Sequence, residues 1–265
     1  MTALLRDLTL PAWVAVAAVL TLLWWRQTRT RNATSVDLWW SLSLAALAVW
    51  YAARTSGAAR WLVALLGAAW ALRLAWYLWS DRVRGRPQED GRYAAMRAHW
   101  GPRASARFFW VYQGQALVAT LFSLPMLAAM RVAPLDLWAA AGTTVWLVAV
   151  AGETIADRQL ARFRADPANR GRSCRVGLWR YSRHPNYFFE WLHWWTYVLI
   201  GHGALLTWLG PVLMLLFLFR ITGIPYTEAQ ALRSRGEDYR RYQRETGVFF
   251  PWFPAAPAAG TTPER

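Results

Sequence analysis

The sequence predicts an all-α integral membrane protein that crosses the membrane about seven times. Hydrophobic residues make up 56% of the 265 residues and charged residues only 17%, against roughly 25% charged residues in soluble domains. The 20 tryptophans are typical of a membrane–water interface, where the indole ring is apolar and its N–H stays hydrated. The apolar segments are too long for an ordinary soluble core.

Seven apolar segments approach or exceed the roughly 20 residues that a membrane-spanning helix needs. The shortest of them pairs with the last one by turning at Gly201-His202-Gly203, and Pro211 predicts a kink in the last helix. We interpret residues 1–254 as a single transmembrane domain and the Ala-, Pro- and Thr-rich segment 255–265 as a disordered tail. The predicted spans are 9–25, 36–53, 60–80, 107–130, 135–156, 186–201 and 204–221.

The arginines predict the orientation in the membrane. All 30 basic residues are arginines, and their distribution over alternate loops is 25 on one side and four on the other, with Arg73 inside a span. Basic residues accumulate in cytoplasmic loops, so we expect the N-terminus outside and the C-terminus in the cytoplasm. A basic chain often binds nucleic acid. Here the arginines lie between apolar spans, which favours membrane lipids and not nucleic acid as partners.

One segment carries a dense set of polar residues at the edge of a span. It runs from Gly177 to Glu190 and reads G-L-W-R-Y-S-R-H-P-N-Y-F-F-E. Pro185 suits the first turn of a helix, and residues four and seven apart share a helix face. Asn186, Glu190, His193 and Tyr197 therefore form one stripe. A glutamate within a membrane is costly unless it is paired, so the stripe indicates either function or a structural pairing.

This segment resembles the steroid 5-alpha-reductase-like membrane enzymes, which include the sterol C14 reductases, and more distantly the isoprenylcysteine carboxyl methyltransferases. The likeness is carried by R-H-P-N-Y at 183–187, with Glu190 four residues after the asparagine. It continues in E-T-I-A-D-R-Q-L-A-R-F-R at 153–164 and in E-D-Y-R-R-Y-Q-R-E-T-G-V-F-F-P-W at 237–252. An uncharacterised bacterial branch also shares V-D-L-W-W at 36–40, so we expect a bacterial inner-membrane protein.

The resemblance implies that the C-terminal half, residues 135–254, binds NADPH from the cytoplasmic side. Guanidinium groups bind phosphates, and carboxylates suit ribose hydroxyls and a carboxamide N–H. No Gly-x-Gly-x-x-Gly motif follows a predicted strand, so a Rossmann domain is excluded as the cofactor site. The expected cofactor-binding residues are Asp157, Arg164, Arg172, Trp179, Arg183, Asn186, Glu190 and Glu228.

The N-terminal half is expected to hold the substrate, a lipid or steroid-like molecule. Asp37 begins the second span, and Arg73 and Tyr77 share a face of the third. Asp37 and Arg73 would be costly facing lipid, so we expect them to face inward, either paired with each other or lining a cavity. Gln113 and Gln115 of the fourth span are candidates for lining the same cavity.

The resemblance implies hydride transfer from NADPH to a carbon–carbon double bond conjugated with a carbonyl. A donor must stabilise the negative charge that develops on the carbonyl oxygen, and Asp37, Arg73 and Tyr77 are the catalytic candidates. The steroid reductases place a tyrosine before an arginine in the third span, whereas here Tyr77 follows Arg73. We therefore expect another substrate, such as an unsaturated fatty or isoprenoid lipid.

Two other functions remain open from the sequence. R-H-P-N-Y is shared with methyltransferases that use S-adenosylmethionine, and a non-catalytic lipid-binding protein would keep the same membrane fold. A metal enzyme is not expected: one cysteine excludes a cysteine-ligated zinc cluster, and four histidines are too few for a histidine-rich di-iron site.

Overall fold

A computed structural model describes residues 2–132, 134–221 and 223–254 of the chain. Within these ranges every regular element is helical, which confirms the all-α prediction. The predicted disordered tail, 255–265, lies outside the described residues. The α-helices are α1 (Thr2–Thr30), α2 (Val36–Arg54), α3 (Arg60–Leu78), α4 (Gly91–Trp100), α5 (Ala104–Val132), α6 (Leu137–Ala165), α7 (Pro185–Ile200), α8 (Leu209–Leu216), α9 (Ile224–Arg235) and α10 (Glu237–Glu245).

Six helical stretches in the described part of the chain are long and apolar enough to cross a membrane. Four of them contain α1, α2, α5 and α6. The other two are α3 with the π-helical turn Trp79–Val83 that follows it, and the stretch Leu205–Arg235. The predicted span 186–201 corresponds to α7, which has 16 residues. At 1.5 Å per residue α7 is about 24 Å long, shorter than the roughly 30 Å hydrocarbon core.

Pro211, at which the sequence predicts a kink, lies near the start of α8. α8 begins at Leu209, so Pro211 is its third residue and belongs to the first turn. The N–H groups of the first turn have no acceptor within the helix, and a proline is tolerated there because it removes no helical hydrogen bond.

The chain divides into two compact units. The first unit comprises residues up to Ala141 together with Tyr197–Gly210, and the second comprises Gly142–Thr196 together with the residues from Pro211 onward. The first unit holds α1 to α5, and the second holds most of α6 and α7 together with α9 and α10. The predicted substrate and cofactor residues therefore lie in different units.

Small side chains set the packing within the first unit. α2 packs along α3, and α5 contacts α1, α2 and α3. A Cβ atom on Gly67 would lie only 2.9 Å from the sulfur of Met126 on α5. The hydroxyls of Tyr51 and Ser123 form a hydrogen bond of 3.1 Å between α2 and α5. Close helix contacts at small residues are typical of membrane proteins, where lipid removes the hydrophobic drive for helix association.

In the second unit the segment before α7 is fastened to the C-terminal segment. The backbone N–H of Arg183 donates to Gly247 O at 2.9 Å, and that of Trp252 donates to Tyr181 O at 2.9 Å. The Ser182 hydroxyl donates to Phe249 O at 2.8 Å. Because the two segments hold each other along this length, the start of α7 has a defined position.

Candidate functional site

Asp157 and Asn186 form the centre of the candidate site in the second unit. The side-chain amide of Asn186, in the first turn of α7, donates to Asp157 Oδ1 on α6 at 3.3 Å. Asp157 is 7% exposed. The amide oxygen of Asn186 is buried and has no hydrogen-bond partner in the described part of the chain. An unsatisfied buried acceptor costs about 1–3 kcal/mol, so this oxygen offers a position for a donor from a ligand.

Trp179 is held against the same part of α6. Its indole N–H donates to Ala156 O at 2.9 Å, next to Asp157, and the indole is buried. The turn that carries it, Gly177–Arg180, is fastened to α6 because the side chain of Gln159 accepts from Leu178 N at 2.9 Å. The structure therefore brings together Asp157, Trp179 and Asn186, three residues that the sequence assigned to one site. Glu190, one turn further along α7, is partly buried.

Arg183 and Glu228 form a second cluster. Arg183 Nε donates to Glu228 Oε1 at 2.7 Å, and its Nη1 donates to the carbonyl oxygens of Gln243 at 3.1 Å and Thr246 at 2.6 Å. The Tyr239 hydroxyl and the Gln243 side chain also donate to the Glu228 carboxylate, at 3.3 and 2.9 Å. These bonds tie the start of α7 to α9, α10 and the segment that follows.

His184 belongs to the same cluster. Its Nε2 lies 3.3 Å from Glu228 Oε1, and its ring stacks on Tyr187 with a centroid distance of 5.3 Å. Burial lowers the pKa of His184 below its ordinary value of 6.5, and the hydrogen bond to Glu228 opposes that shift without cancelling it. The ring is therefore neutral at pH 7.

Arg164 and Arg172 lie apart from these clusters and line a pocket. The pocket has a volume of about 450 Å³ and is also lined by Arg170, Arg235, Phe163 and Cys174. Asn186, Trp179 and Glu228 are not among its lining residues. Seven of the eight predicted cofactor residues thus occupy three places: the Asp157–Asn186 pair with Trp179, the Arg183–Glu228 cluster, and the arginine pocket. The eighth, Glu190, follows Asn186 by one turn of α7.

Asp37 is the centre of a polar cluster in the first unit. Its carboxylate accepts from Arg82 Nη1 at 3.3 Å, from the Tyr93 hydroxyl at 2.6 Å, and from Arg92 Nη2. One sequence-based expectation paired Asp37 with Arg73, but these bonds join Asp37 to Arg82, Arg92 and Tyr93 instead. Asp37 lies in the first turn of α2, and Arg82, in the stretch that follows α3, reaches that turn. Arg73 precedes Arg82 in the chain by more than two helical turns.

The cluster contains residues that sequence reasoning missed. Tyr93, on α4, is 2% exposed and also accepts from Arg92 Nη2 at 3.0 Å. Tyr112 on α5 is fully buried, and its hydroxyl has no hydrogen-bond partner among the described residues. Residues 81–106 lie between two predicted spans and are polar, so the sequence did not indicate that α4 is partly buried. The available signal was the pair of basic and aromatic residues at 92–93.

The other predicted residues of the first unit lie on α3 and α5. Arg73 and Tyr77 lie one turn apart on α3, and both are partly buried. The side chain of Gln113 donates to Thr21 on α1 at 3.0 Å, so it contributes to the contact between α1 and α5. Gln115 is partly buried on α5.

Comparison with known proteins gives a family match over most of the chain. Residues 23–246 match the family described as protein of unknown function (DUF1295). The chain is also similar to an uncharacterized protein of the fission yeast Schizosaccharomyces pombe, with 26% identity over an alignment that covers 86% of this chain and 75% of the relative. No solved structure matches the chain. The match includes α2 to α10, and with them the Asp157–Asn186 pair, the Arg183–Glu228 cluster, the Asp37 cluster and the arginine pocket.

Proposed function

The chain belongs to the family described as protein of unknown function (DUF1295), and we propose that it is an NADPH-dependent membrane reductase of the steroid 5-alpha-reductase type. Its substrate is a lipid or steroid-like molecule with a carbon–carbon double bond conjugated to a carbonyl. The observation that carries this proposal is the contact of Asn186 with Asp157 beside Trp179, which leaves the buried amide oxygen of Asn186 without a partner. By the resemblance of the motif, Trp179 and Asn186 correspond to positions that touch the cofactor in the reductases, and Asp157 is a further candidate beside them.

The residues present suit NADPH chemically. The amide oxygen of Asn186 is an acceptor that a carboxamide N–H satisfies, and the carboxylates of Asp157 and Glu190 accept from ribose hydroxyls. Arg164 and Arg172 supply charge-assisted donors for the phosphates. When bound, NADPH supplies the hydride. Trp179 contributes an apolar wall at the same place.

Arg183 and Glu228 have a positioning role in this proposal. Arg183 donates hydrogen bonds through Nε and Nη1 to Glu228, Gln243 and Thr246. Because these bonds fix the start of α7, they also fix the direction of the Asn186 side chain.

On the substrate side, the carbonyl oxygen needs a donor as negative charge develops on it. Arg73 and Tyr77 supply donors from α3. Asp37 already accepts from two guanidinium groups and a phenol, so in this proposal its carboxylate holds Arg82, Arg92 and Tyr93 in place and does not itself give up a proton. The lipid or steroid-like substrate reaches these residues from the membrane.

The proposal includes an orientation. α7 forms a short seventh crossing beside the six longer helical stretches, with the N-terminus outside and the C-terminus in the cytoplasm of a bacterial cell. The 25 arginines of the proposed cytoplasmic segments, against four outside, support this orientation in the inner membrane. NADPH then enters from the cytoplasm.

A ligand panel tests the proposed class of function. The detergent-solubilised protein is heated with NADPH, with S-adenosylmethionine, or with neither, and its melting temperature is recorded. A ligand at 100 times its Kd stabilises the folded state by about 2.7 kcal/mol, so NADPH is expected to raise the melting temperature by several degrees. A rise with S-adenosylmethionine alone would replace the proposal by a methyltransferase. No rise with either would favour a non-catalytic lipid-binding protein.

A further inference from the structure

The pocket in the second unit has the composition of an anion site. Four arginines line it, namely Arg164, Arg170, Arg172 and Arg235, against one carboxylate, Asp166. None of the four is ion-paired to a carboxylate within the described part of the chain, whereas nearby Arg175 pairs with Asp238 and Glu245. Arg164 and Arg235 are close enough to repel each other. Positive charge around this cavity therefore exceeds the negative charge that lines it.

The loop that forms one side of this pocket is held in a defined conformation. The Asp166 carboxylate accepts from Ala168 N at 2.9 Å, and the Asn169 side chain donates to Phe163 O at 3.0 Å. Arg172 N donates to Asn169 O at 3.0 Å. Gly171 has a φ of +78°, a conformation that glycine adopts at little cost. Arg170 and Arg172 thus flank a fixed turn and face the same cavity.

We propose that this pocket binds a phosphate group, held by the guanidinium groups of Arg164, Arg170, Arg172 and Arg235. A planar guanidinium matches the oxygens of a phosphate with two parallel hydrogen bonds. The volume of about 450 Å³ falls in the range of roughly 300–1,000 Å³ of small-molecule sites. The site therefore accepts a phosphate together with the group that carries it, and Leu160 and Phe163 provide an apolar wall for that group.

Two sources supply this chemistry. One is the phosphate of a nucleotide, which would deepen the proposed function by adding Arg170 and Arg235 to its phosphate-binding residues. The other is the headgroup of an anionic phospholipid, because α6 is apolar enough to cross a membrane and the pocket lies at its end. Basic pockets at the ends of membrane helices bind anionic headgroups. The phosphate site itself does not depend on the reductase proposal.

The test compares two pocket variants with two matched controls. Arg170→Gln and Arg235→Gln each remove one guanidinium from the pocket, whereas Arg162→Gln on α6 and Arg233→Gln on α9 remove an exposed arginine that does not line it. Binding of adenosine 2′-phosphate and of adenosine is measured by calorimetry on the full-length protein in detergent. In parallel, retention of phosphatidylglycerol over phosphatidylcholine is measured by native mass spectrometry. Arg170 is exposed, so its variant stays informative even if Arg235→Gln folds poorly.

We expect adenosine 2′-phosphate, phosphatidylglycerol or both to bind the parent protein. Their affinity should fall tenfold or more in the pocket variants and change less than twofold in the control variants. If only phosphatidylglycerol behaves in this way, the phosphate site stands and Arg164 and Arg172 no longer support the cofactor proposal. The phosphate site is refuted if adenosine binds as well as adenosine 2′-phosphate while phosphatidylglycerol is not retained, or if the control variants lose as much binding as the pocket variants. Loss of NADPH binding in Asn186→Ala is a separate result.

Discussion

Four side chains surround the Glu228 carboxylate, which accepts from Arg183, Tyr239 and Gln243 and lies 3.3 Å from His184 Nε2. Three of these donate to it whatever the pH near neutrality, but the His184 ring changes its charge. Burial lowers the pKa of His184, since the site disfavours the charged ring even though a carboxylate lies beside it. The folded state therefore binds a proton at His184 less readily than the unfolded chain does.

This difference makes stability depend on pH. The unfolded His184 titrates near its ordinary value of 6.5, so the stabilising contribution is complete above that pH and is lost as the pH falls toward the lower pKa of the folded state. We expect the melting temperature to decrease between pH 7.5 and pH 5. In His184→Gln, which keeps a polar side chain that cannot titrate, the decrease should be smaller. An equal decrease in both proteins would show that His184 is not the group responsible.

At the residue scale, local motifs were more predictable than distant contacts. The resemblance of 177–190 and 153–164 to the reductases implied that Asp157, Trp179 and Asn186 belong to one site, and the structure places them close together. The partners of Asp37 were not predictable in the same way, because Arg82 and Arg92 lie 45 and 55 residues away in the chain. Nothing in residue spacing specifies which arginine of an arginine-rich loop will return to a given carboxylate.

At the scale of elements, the turn Gly177–Arg180 links α6 to α7. Gly177 has a φ of +57°, and a Cβ atom on it would lie 2.1 Å from the side-chain nitrogen of Gln159. That side chain accepts from Leu178 N, so an added methyl group displaces the contact that holds the turn against α6. The position of Trp179 depends on the same contact.

Gly177→Ala is therefore expected to destabilise the protein by more than the positive φ of this residue alone would. Gly236 is the matched control, because its φ is +54° and nothing lies within 4 Å of a Cβ placed there. A positive φ disfavours a residue that has a Cβ atom, so both alanine variants should lose stability through the backbone. Crowding against Gln159 should add a further 1–3 kcal/mol in Gly177→Ala. Equal melting temperatures for the two variants would mean that Gln159 yields without cost.

The lengths of the helices show what apolar runs do and do not specify. Long apolar segments predicted the positions of α1, α2, α3, α5 and α6 well, because burial in lipid requires both helix formation and length. α7 was predicted to within one residue at each end, although its aromatic and polar residues serve packing and the candidate site as much as membrane burial. The start of α8 depends on the short turn Leu205–Trp208, which hydropathy does not predict.

At the scale of the whole molecule, the arginine distribution makes a testable claim about orientation. Cysteines introduced at Gly91 or Ser234, in a protein whose native Cys174 is replaced by alanine, should lie in the cytoplasm. A membrane-impermeant thiol reagent added to intact cells is expected to leave both unlabelled and to label them after the membrane is opened. Efficient labelling in intact cells would overturn the proposed orientation.

We interpreted the sequence as a single transmembrane domain with a substrate half and a cofactor half. The predicted boundary at 135 is close to Gly142, where the second unit begins. Tyr197–Gly210, however, belongs to the first unit, although it lies far along the chain. Hydropathy predicts where each helix lies but not which helices pack together. It therefore could not predict that Tyr197–Gly210 belongs to the first unit.

The central claim is that Asn186 and Glu190 bind NADPH, and the most direct test is the rise in melting temperature that NADPH causes. Tyr187→Phe is the control, because it removes only a hydroxyl that is hydrogen-bonded to Thr227 on α9. The parent and this control should show the same rise. Asn186→Ala and Glu190→Gln should remain folded and lose most of this rise. A variant that is less stable without ligand yet gains the full NADPH shift would contradict the account, because these residues would then serve packing alone.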